Sequence, residues 1–120
     1  VIFKQHVADR TNWRNMLKGR PEIIDLEHEK QKLLNLCENE LNELEQQFGL
    51  HAINILNGVD EITINYPIEN YPEKIGSFNF DKEPDVEGTL SGIKGQYLIL
   101  DTGVINLRRF SGYHVSLAEI

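Results

Sequence analysis

The spacing of apolar residues changes once along the chain, at Gly49. Between Asp25 and Gly49 the apolar residues recur every three or four positions, which is the spacing of one face of an α-helix. This apolar stripe consists of Leu34, Cys37, Leu41, Leu44 and Phe48. After Gly49 the period falls to two, which is typical of β-strands. The pattern therefore predicts a helical part followed by a β part.

Two helices are predicted in the first fifty residues. Thr11 is expected to cap a short helix that ends by Lys18, with Gly19 in the left-handed conformation after it. Asp25 is expected to cap a long amphipathic helix of about 24 residues, because acidic side chains follow it in the first turn. Gly49 is expected to end that helix.

Several short strands are predicted after Gly49. Alternating positions at 62–66 and 113–117 favour two of them. Asp101-Thr102-Gly103 separates two apolar runs and predicts a hairpin with Gly103, like Gly95, at positive φ. We therefore expect an α+β protein: a short N-terminal helix and a long amphipathic helix, then a small antiparallel β-barrel or strongly bent sheet. Residues 1–50 would form a helical segment and residues 51–120 a small β domain.

Composition narrows the class of protein. The 120 residues are 40% apolar and 26% charged, and no apolar run approaches the roughly 20 residues that a membrane helix needs. One cysteine excludes an internal disulfide. The chain begins at Val1 without the pattern of a signal peptide. We expect a cytoplasmic protein with no membrane association, cut from a longer chain.

Charge is unevenly distributed. The net charge is −7, yet residues 1–20 carry five bases and one acid, whereas residues 21–50 carry two bases and eight acids. Acidic residues flank the apolar stripe at Glu38, Glu40 and Glu45, so pairing of two identical long helices would bring carboxylates together. We therefore predict that the stripe packs within one chain on the basic first helix, as a helical hairpin.

Motifs for catalysis or metal binding are weak. Leu98 to Val104 is similar to the Asp-Thr-Gly signature of retroviral-type aspartic proteases, but only seventeen residues follow Gly103, too few for the rest of such a site. His6 and Asp9 are too few ligands for a metal. Cys37 lies in the apolar stripe, where a thiol behaves as a small hydrophobe. We predict no catalytic residues, no metal and no cofactor.

Basic, amide and aromatic side chains gather in neighbouring predicted strands. The candidates for nucleic-acid binding are Lys94, Gln96, Tyr97, Arg108 and Arg109. Small barrels that display such residues hold a phosphate backbone and stack bases. The alternative is that the two arginines pair with the acidic helix.

Three blocks of sequence carry a family resemblance. They are Phe3 to Arg14 with Met16 to Gly19, Tyr71 to Lys74 followed by Phe78 to Lys82, and Val86 to Arg108. In this order they resemble the C-terminal part of the uncharacterised bacterial family known as domain of unknown function twenty-seven ninety-seven. The resemblance implies an upstream half with paired cysteines and a segment similar to the GIY-YIG nuclease fold, of whose site Asn12 alone would fall within this chain.

The sequence thus favours an uncharacterised protein, a C-terminal accessory or interaction region that supports nucleic-acid engagement by an upstream half. The alternative is an enzyme fragment that resembles the tail of a GIY-YIG-type nuclease. The chain by itself is expected to be catalytically silent.

Overall fold

The computed structural model describes residues 2–120 and has an α+β architecture, as predicted. It contains a 3₁₀ helix (Ile2–Gln5), α1 (Trp13–Lys18), α2 (Leu26–Leu36), α3 (Glu38–Phe48), β1 (Leu90–Lys94), β2 (Tyr97–Leu100), β3 (Val104–Asn106) and a second 3₁₀ helix (Leu107–Phe110). The chain divides into two compact units. Residues 1–11 and 21–63 form one, here called the helical unit. Residues 12–20 and 64–120 form the other, here called the sheet unit.

The predicted long helix is present as two helices, α2 and α3. The Asp25 side chain accepts a hydrogen bond from the His28 amide at 2.9 Å and so caps α2. Cys37 separates the helices with φ −105° and ψ 11°, and its amide is shared between the carbonyls of Leu33 and Leu34. This shared hydrogen bond tightens the backbone at that residue. Gly49, with φ 103°, ends α3 as predicted.

The sheet of the sheet unit is antiparallel, open, and ordered β1-β2-β3. The hairpin predicted around Asp101-Thr102-Gly103 is confirmed as the β2–β3 turn. Alternate β2 residues face opposite sides of the sheet. On one side Tyr97 and Ile99 pack with Val104 and with Leu17 of α1.

The other side of the sheet carries a second apolar cluster. Its buried members are Leu100, Ile105 and Phe110. Phe78, Phe80, Val86 and Leu98 pack against them. The sheet unit is therefore layered, with α1 on one face and loops plus the second 3₁₀ helix on the other.

Both edges of the sheet are covered by short extended segments. The Ile93 amide donates to the Pro67 carbonyl at 2.9 Å, and the Val104 amide donates to the Gly76 carbonyl at 2.7 Å. Ile68 and Ser77 form single bridges to β1 and β3. Covering the edges satisfies backbone groups that would otherwise invite pairing with another chain. An open sheet with covered edges replaces the closed barrel that the sequence also allowed.

Some local predictions are wrong. Residues 62–66 and 113–117 alternate in hydrophobicity but form no strand, and their apolar side chains are exposed. Asn12, not Thr11, caps α1, because its side chain accepts a hydrogen bond from the Asn15 amide. Gly19 is extended, with φ 179°. Gly95 has the predicted positive φ of 57°, whereas Gly103 does not have a positive φ.

The predicted hairpin between the first helix and the long helix is also wrong. Leu17 of α1 is fully buried in the cluster on the sheet, with Trp13 and Met16 packed beside it. The physical reason is the apolar face offered by β2 and β3, which takes up the side chains that were expected to cover the long helix.

Candidate functional site

Lys94, the first of the candidate nucleic-acid residues, lies inside the sheet unit. It is only 4% exposed. Its Nζ donates to the carbonyls of Met16 at 2.8 Å and Gly19 at 3.3 Å, and it lies 3.4 Å from the Tyr71 hydroxyl. The rings of Tyr66 and Tyr71 lie 5.7 and 5.1 Å from the ammonium. The positive charge therefore binds the carbonyl end of α1, where the helix dipole is negative.

Tyr97 and Gln96 are also engaged within the sheet unit. The Tyr97 ring stacks on Trp13 with a centroid distance of 5.6 Å and an interplanar angle of 9°. The Arg14 guanidinium lies 4.4 Å from the centre of the Trp13 ring. Gln96 Nε2 donates to Asn106 Oδ1 at 3.0 Å. Tyr97 is buried, so the aromatic side chain left partly open to a ligand is Trp13, with Arg14 over it.

Arg108 and Arg109 lie in the second 3₁₀ helix instead of the predicted strand. Both side chains are exposed, and Arg109 lies 5.7 Å from the Phe110 ring. Within the sheet unit neither guanidinium forms an ion pair with a carboxylate. Of the five candidate residues, Lys94 and Tyr97 are therefore buried and the two arginines are exposed. Gln96 is partly buried.

The residues that suggested catalysis have structural roles. Asp101 Oδ1 accepts a hydrogen bond from the Thr89 amide at 2.8 Å, and the Thr102 hydroxyl donates to the Glu87 carbonyl at 2.9 Å. These bonds tie the β2–β3 turn to the segment that leads into β1. Asn12 is the cap of α1.

The residues considered as metal ligands are His6 and Asp9. Asp9 forms an ion pair with Lys4 at 2.8 Å, and both side chains are largely exposed. Among residues 2–120 no group of three or more His, Cys, Asp or Glu side chains is placed to hold a metal ion. The same residues include no helix long and apolar enough to cross a membrane.

The helical unit contains an apolar groove of about 470 Å³. Its walls include Leu34, Leu41 and Leu44 of the stripe, joined by Phe3, Ile53 and Ile55. The sequence located the three leucines, but the other residues come from the first 3₁₀ helix and from the loop after α3. In the sequence these residues are marked only by two adjacent apolar residues at 2–3 and by apolar residues at 53 and 55 with a polar one between them.

Cys37 lies in the stripe and is fully buried, as expected for a small hydrophobic residue. Burial raises the pKa of its thiol, and the nearby Glu40 carboxylate raises it further. The thiol is therefore held in its neutral, weakly nucleophilic form at neutral pH.

Acidic side chains flank the apolar stripe on α3. With 100° per residue, Glu38 and Glu45 lie on one side of the stripe and Glu40 on the other. The helical unit as a whole contains eleven acids and four Lys or Arg, a net charge of −7, while the sheet unit contains eight of each. The groove is thus lined mainly by apolar side chains, with Lys4 and Asn54 as its polar lining residues, and glutamates flank the stripe that forms part of its wall.

Comparison with known proteins identifies a family. The sequence model of the family described as "Protein of unknown function (DUF2797)" matches residues 1–115 of the chain. No curated protein and no solved structure matches it.

Proposed function

The chain belongs to the DUF2797 family of proteins of unknown function, and we propose that it acts as an interaction region whose helical unit binds a partner in its apolar groove. We further propose that the chain is the C-terminal accessory part of a longer bacterial protein. Its 1–50 segment and its 51–120 domain would then serve an upstream half.

The observation that supports the docking function is the number of apolar side chains that the helical unit leaves exposed to solvent. Cys37 is its one fully buried residue among those the structure describes. Its exposed apolar residues include Ile23, Ile24, Phe48, Leu50, Leu56, Val59 and Ile62. Phe3 and Ile55, which line the groove, are exposed as well. A groove with apolar walls, in a unit with many exposed apolar side chains, is typical of a surface that binds another protein.

A peptide selection tests this function. The full chain is immobilised and screened with a randomised peptide library, with the Leu41→Lys variant for counter-selection because Leu41 lines the groove. We expect peptides that bind the parent and lose binding to Leu41→Lys. Leu26→Lys is the matched control, since Leu26 belongs to α2 but does not line the groove. Circular dichroism verifies that both variants stay folded. Failure to obtain any groove-dependent peptide would refute the docking function.

Exposed arginines support a second candidate, nucleic-acid engagement through the sheet unit. Arg108 and Arg109 are adjacent, exposed and without an ion pair in that unit. Guanidinium groups in this state are available to phosphate oxygens. Gln96 is close to the helix that contains these arginines. The amide of Leu107, the first residue of that helix, donates a hydrogen bond to the Gln96 carbonyl.

Titration with labelled single-stranded and double-stranded nucleic acid at two salt concentrations tests this candidate. We expect binding that weakens as salt rises, because phosphate contacts release counterions. Arg108→Ala and Arg109→Ala should each weaken it, whereas Lys82→Ala, also an exposed cation of the sheet unit, should not. Equal loss in all three variants would mean that only general charge attracts the nucleic acid. Cleavage of the labelled strand that is lost in Asn12→Ala would instead support the nuclease alternative.

A further inference from the structure

We infer that the occupant of the groove is a helix from a partner protein, with an apolar stripe flanked by lysine or arginine. This inference rests on the docking function proposed above and specifies the chemistry of the partner. Three observations support it: the charges beside the apolar stripe, the shape of the groove, and the packing of the apolar side chains of α1 on the sheet instead of in the groove.

Charge is the first argument. Glu38 and Glu45 border the apolar stripe on one side and Glu40 on the other, in a unit with a net charge of −7. Three lysines of this unit already contact acids: Lys4, which lines the groove, contacts Asp9, Lys30 contacts Glu27, and Lys32 contacts Glu29. A partner with basic residues beside its apolar stripe would meet opposite charges on both sides, and the complementary field would speed its approach.

The shape of the site favours a helix. Leu34 of α2 and Leu41 and Leu44 of α3 all line the groove, so the apolar stripe continues from one helix into the next. An apolar stripe along a groove is the arrangement that binds an amphipathic helix through residues spaced by three and four. A peptide that binds by adding a β-strand needs an exposed strand edge, and residues 2–11 and 21–63 contain no strand.

The chain does not supply this occupant from α1. Its first helix has the required composition, with Trp13, Met16 and Leu17 beside basic residues, but those three apolar side chains pack on the sheet. A second copy of α2 and α3 has the wrong charge, because its stripe carries the same glutamates and like charges would face each other. Of these occupants, a partner of opposite charge fits the glutamates best.

Matched peptides test the inference. The peptide selected above with the strongest dependence on Leu41 is resynthesised in two forms that keep its apolar residues and carry either lysine or glutamate at the flanking positions. Fluorescence anisotropy with the full chain measures both. We expect the lysine form to bind at least about tenfold more tightly, a difference of about 1.4 kcal/mol. The difference should shrink as salt rises.

Charge reversal on α3 locates the effect. Glu38→Lys and Glu45→Lys should each weaken the lysine peptide and strengthen the glutamate peptide. Glu43→Lys is the matched control, because it makes the same change of charge on the side of α3 away from the stripe. Circular dichroism and thermal melting confirm that all three variants keep their helices.

The outcomes separate this inference from the docking function. If both peptides bind equally and lose binding to Leu41→Lys, the docking function stands and the basic partner is wrong. Absence of any groove-dependent peptide would remove the docking function itself. Sedimentation of the parent as a dimer that becomes a monomer in Leu41→Lys would show that a second copy occupies the groove, which would also overturn the inference.

Discussion

The two units of this chain use their apolar residues in opposite ways. The sheet unit buries seven apolar side chains in two clusters on either face of a three-stranded sheet. The helical unit buries Cys37 and leaves most of its other apolar side chains partly or largely exposed. The sheet unit is electrically balanced, whereas the helical unit carries the whole net charge of −7.

This difference separates the part of the chain that is stabilised by burial from the part that we propose binds a partner. Apolar area removed from water stabilises a fold by about 25 cal/mol per Å², so the clusters of the sheet unit are its main stabilising element. Apolar area that stays exposed contributes nothing until a partner covers it. The apolar side chains of the sheet unit are already buried, whereas those of the helical unit would be buried only when a partner binds.

Paired leucine truncations give the largest expected contrast. Leu17→Ala empties a fully buried position in the sheet unit and should lower the free energy of unfolding by about 2–5 kcal/mol. Leu36→Ala, in α2, removes the same atoms from a side chain that is 53% exposed and should cost less than about 1 kcal/mol. Urea denaturation followed by circular dichroism measures both. Equal losses would mean that the helical unit has a buried core of its own and that the comparison fails.

The next effect concerns the buried cation. Lys94→Met keeps the length of the side chain but leaves the carbonyls of Met16 and Gly19 without their donor. We expect a loss of about 1–3 kcal/mol, the usual cost of a buried polar group without a partner. Lys74→Met is the control, because Lys74 is exposed in the same unit. If the two variants have the same melting temperature, the Lys94 ammonium does not hold α1 on the sheet.

Local features of this fold were predictable, and distant ones were not. Asp25 and Gly49 bound the helical region because a cap and a left-handed glycine act within a few residues. The β2–β3 hairpin followed equally from its turn residues. Lys94, in contrast, bonds to a carbonyl 78 residues earlier. Since its charge and strand position suggested exposure, no local pattern in the sequence could reveal its burial.

Hydrophobic alternation failed for a related reason. The pattern at 62–66 and at 113–117 is that of a strand, but a strand exists only where a neighbour supplies hydrogen bonds. The edges of the sheet are taken by segments near Pro67 and Gly76. For the candidate site, strand alternation could not indicate that Tyr97 stacks on Trp13. The groove was foreseen only as a stripe, because its remaining walls come from separate segments.

A smaller loss of stability is expected at Gly103, because Phe78 and Gly76 lie close to its Cα. A Cβ built there would lie 2.7 Å from the Phe78 ring and 2.8 Å from the Gly76 carbonyl oxygen. Gly103→Ala should cost about 1–2 kcal/mol by overpacking, because the partly buried ring can shift to relieve part of the clash. Gly19→Ala is the control, since its Cβ would meet open space at an extended φ. Thermal melting compares them. Gly103→Ala melting at the temperature of the parent would show that the covered edge of β3 is loose.

The smallest expected effect is at the C-terminal end of the sheet unit, where burial is low. The Tyr113 hydroxyl donates to Asp81 Oδ1, and its ring packs edge-on against Phe110. That hydrogen bond, the Asp81 charge and desolvation raise the pKa of Tyr113 above its usual value of about 10. A raised pKa in the folded state means that the stabilisation is complete below pH 10 and is lost as pH rises through the folded-state pKa.

Tyr113→Phe removes the hydrogen bond and keeps the ring. Its melting temperature should lie slightly below that of the parent at neutral pH, and the gap should close as pH rises above 10 because the parent then loses the same bond. Tyr66→Phe is the control: its hydroxyl forms no hydrogen bond with residues 2–120, so its gap to the parent should be small and should not follow this pattern. A Tyr113→Phe gap that widens above pH 10 would contradict the assignment, because it would mean that ionised Tyr113 stabilises the fold more than the neutral side chain does.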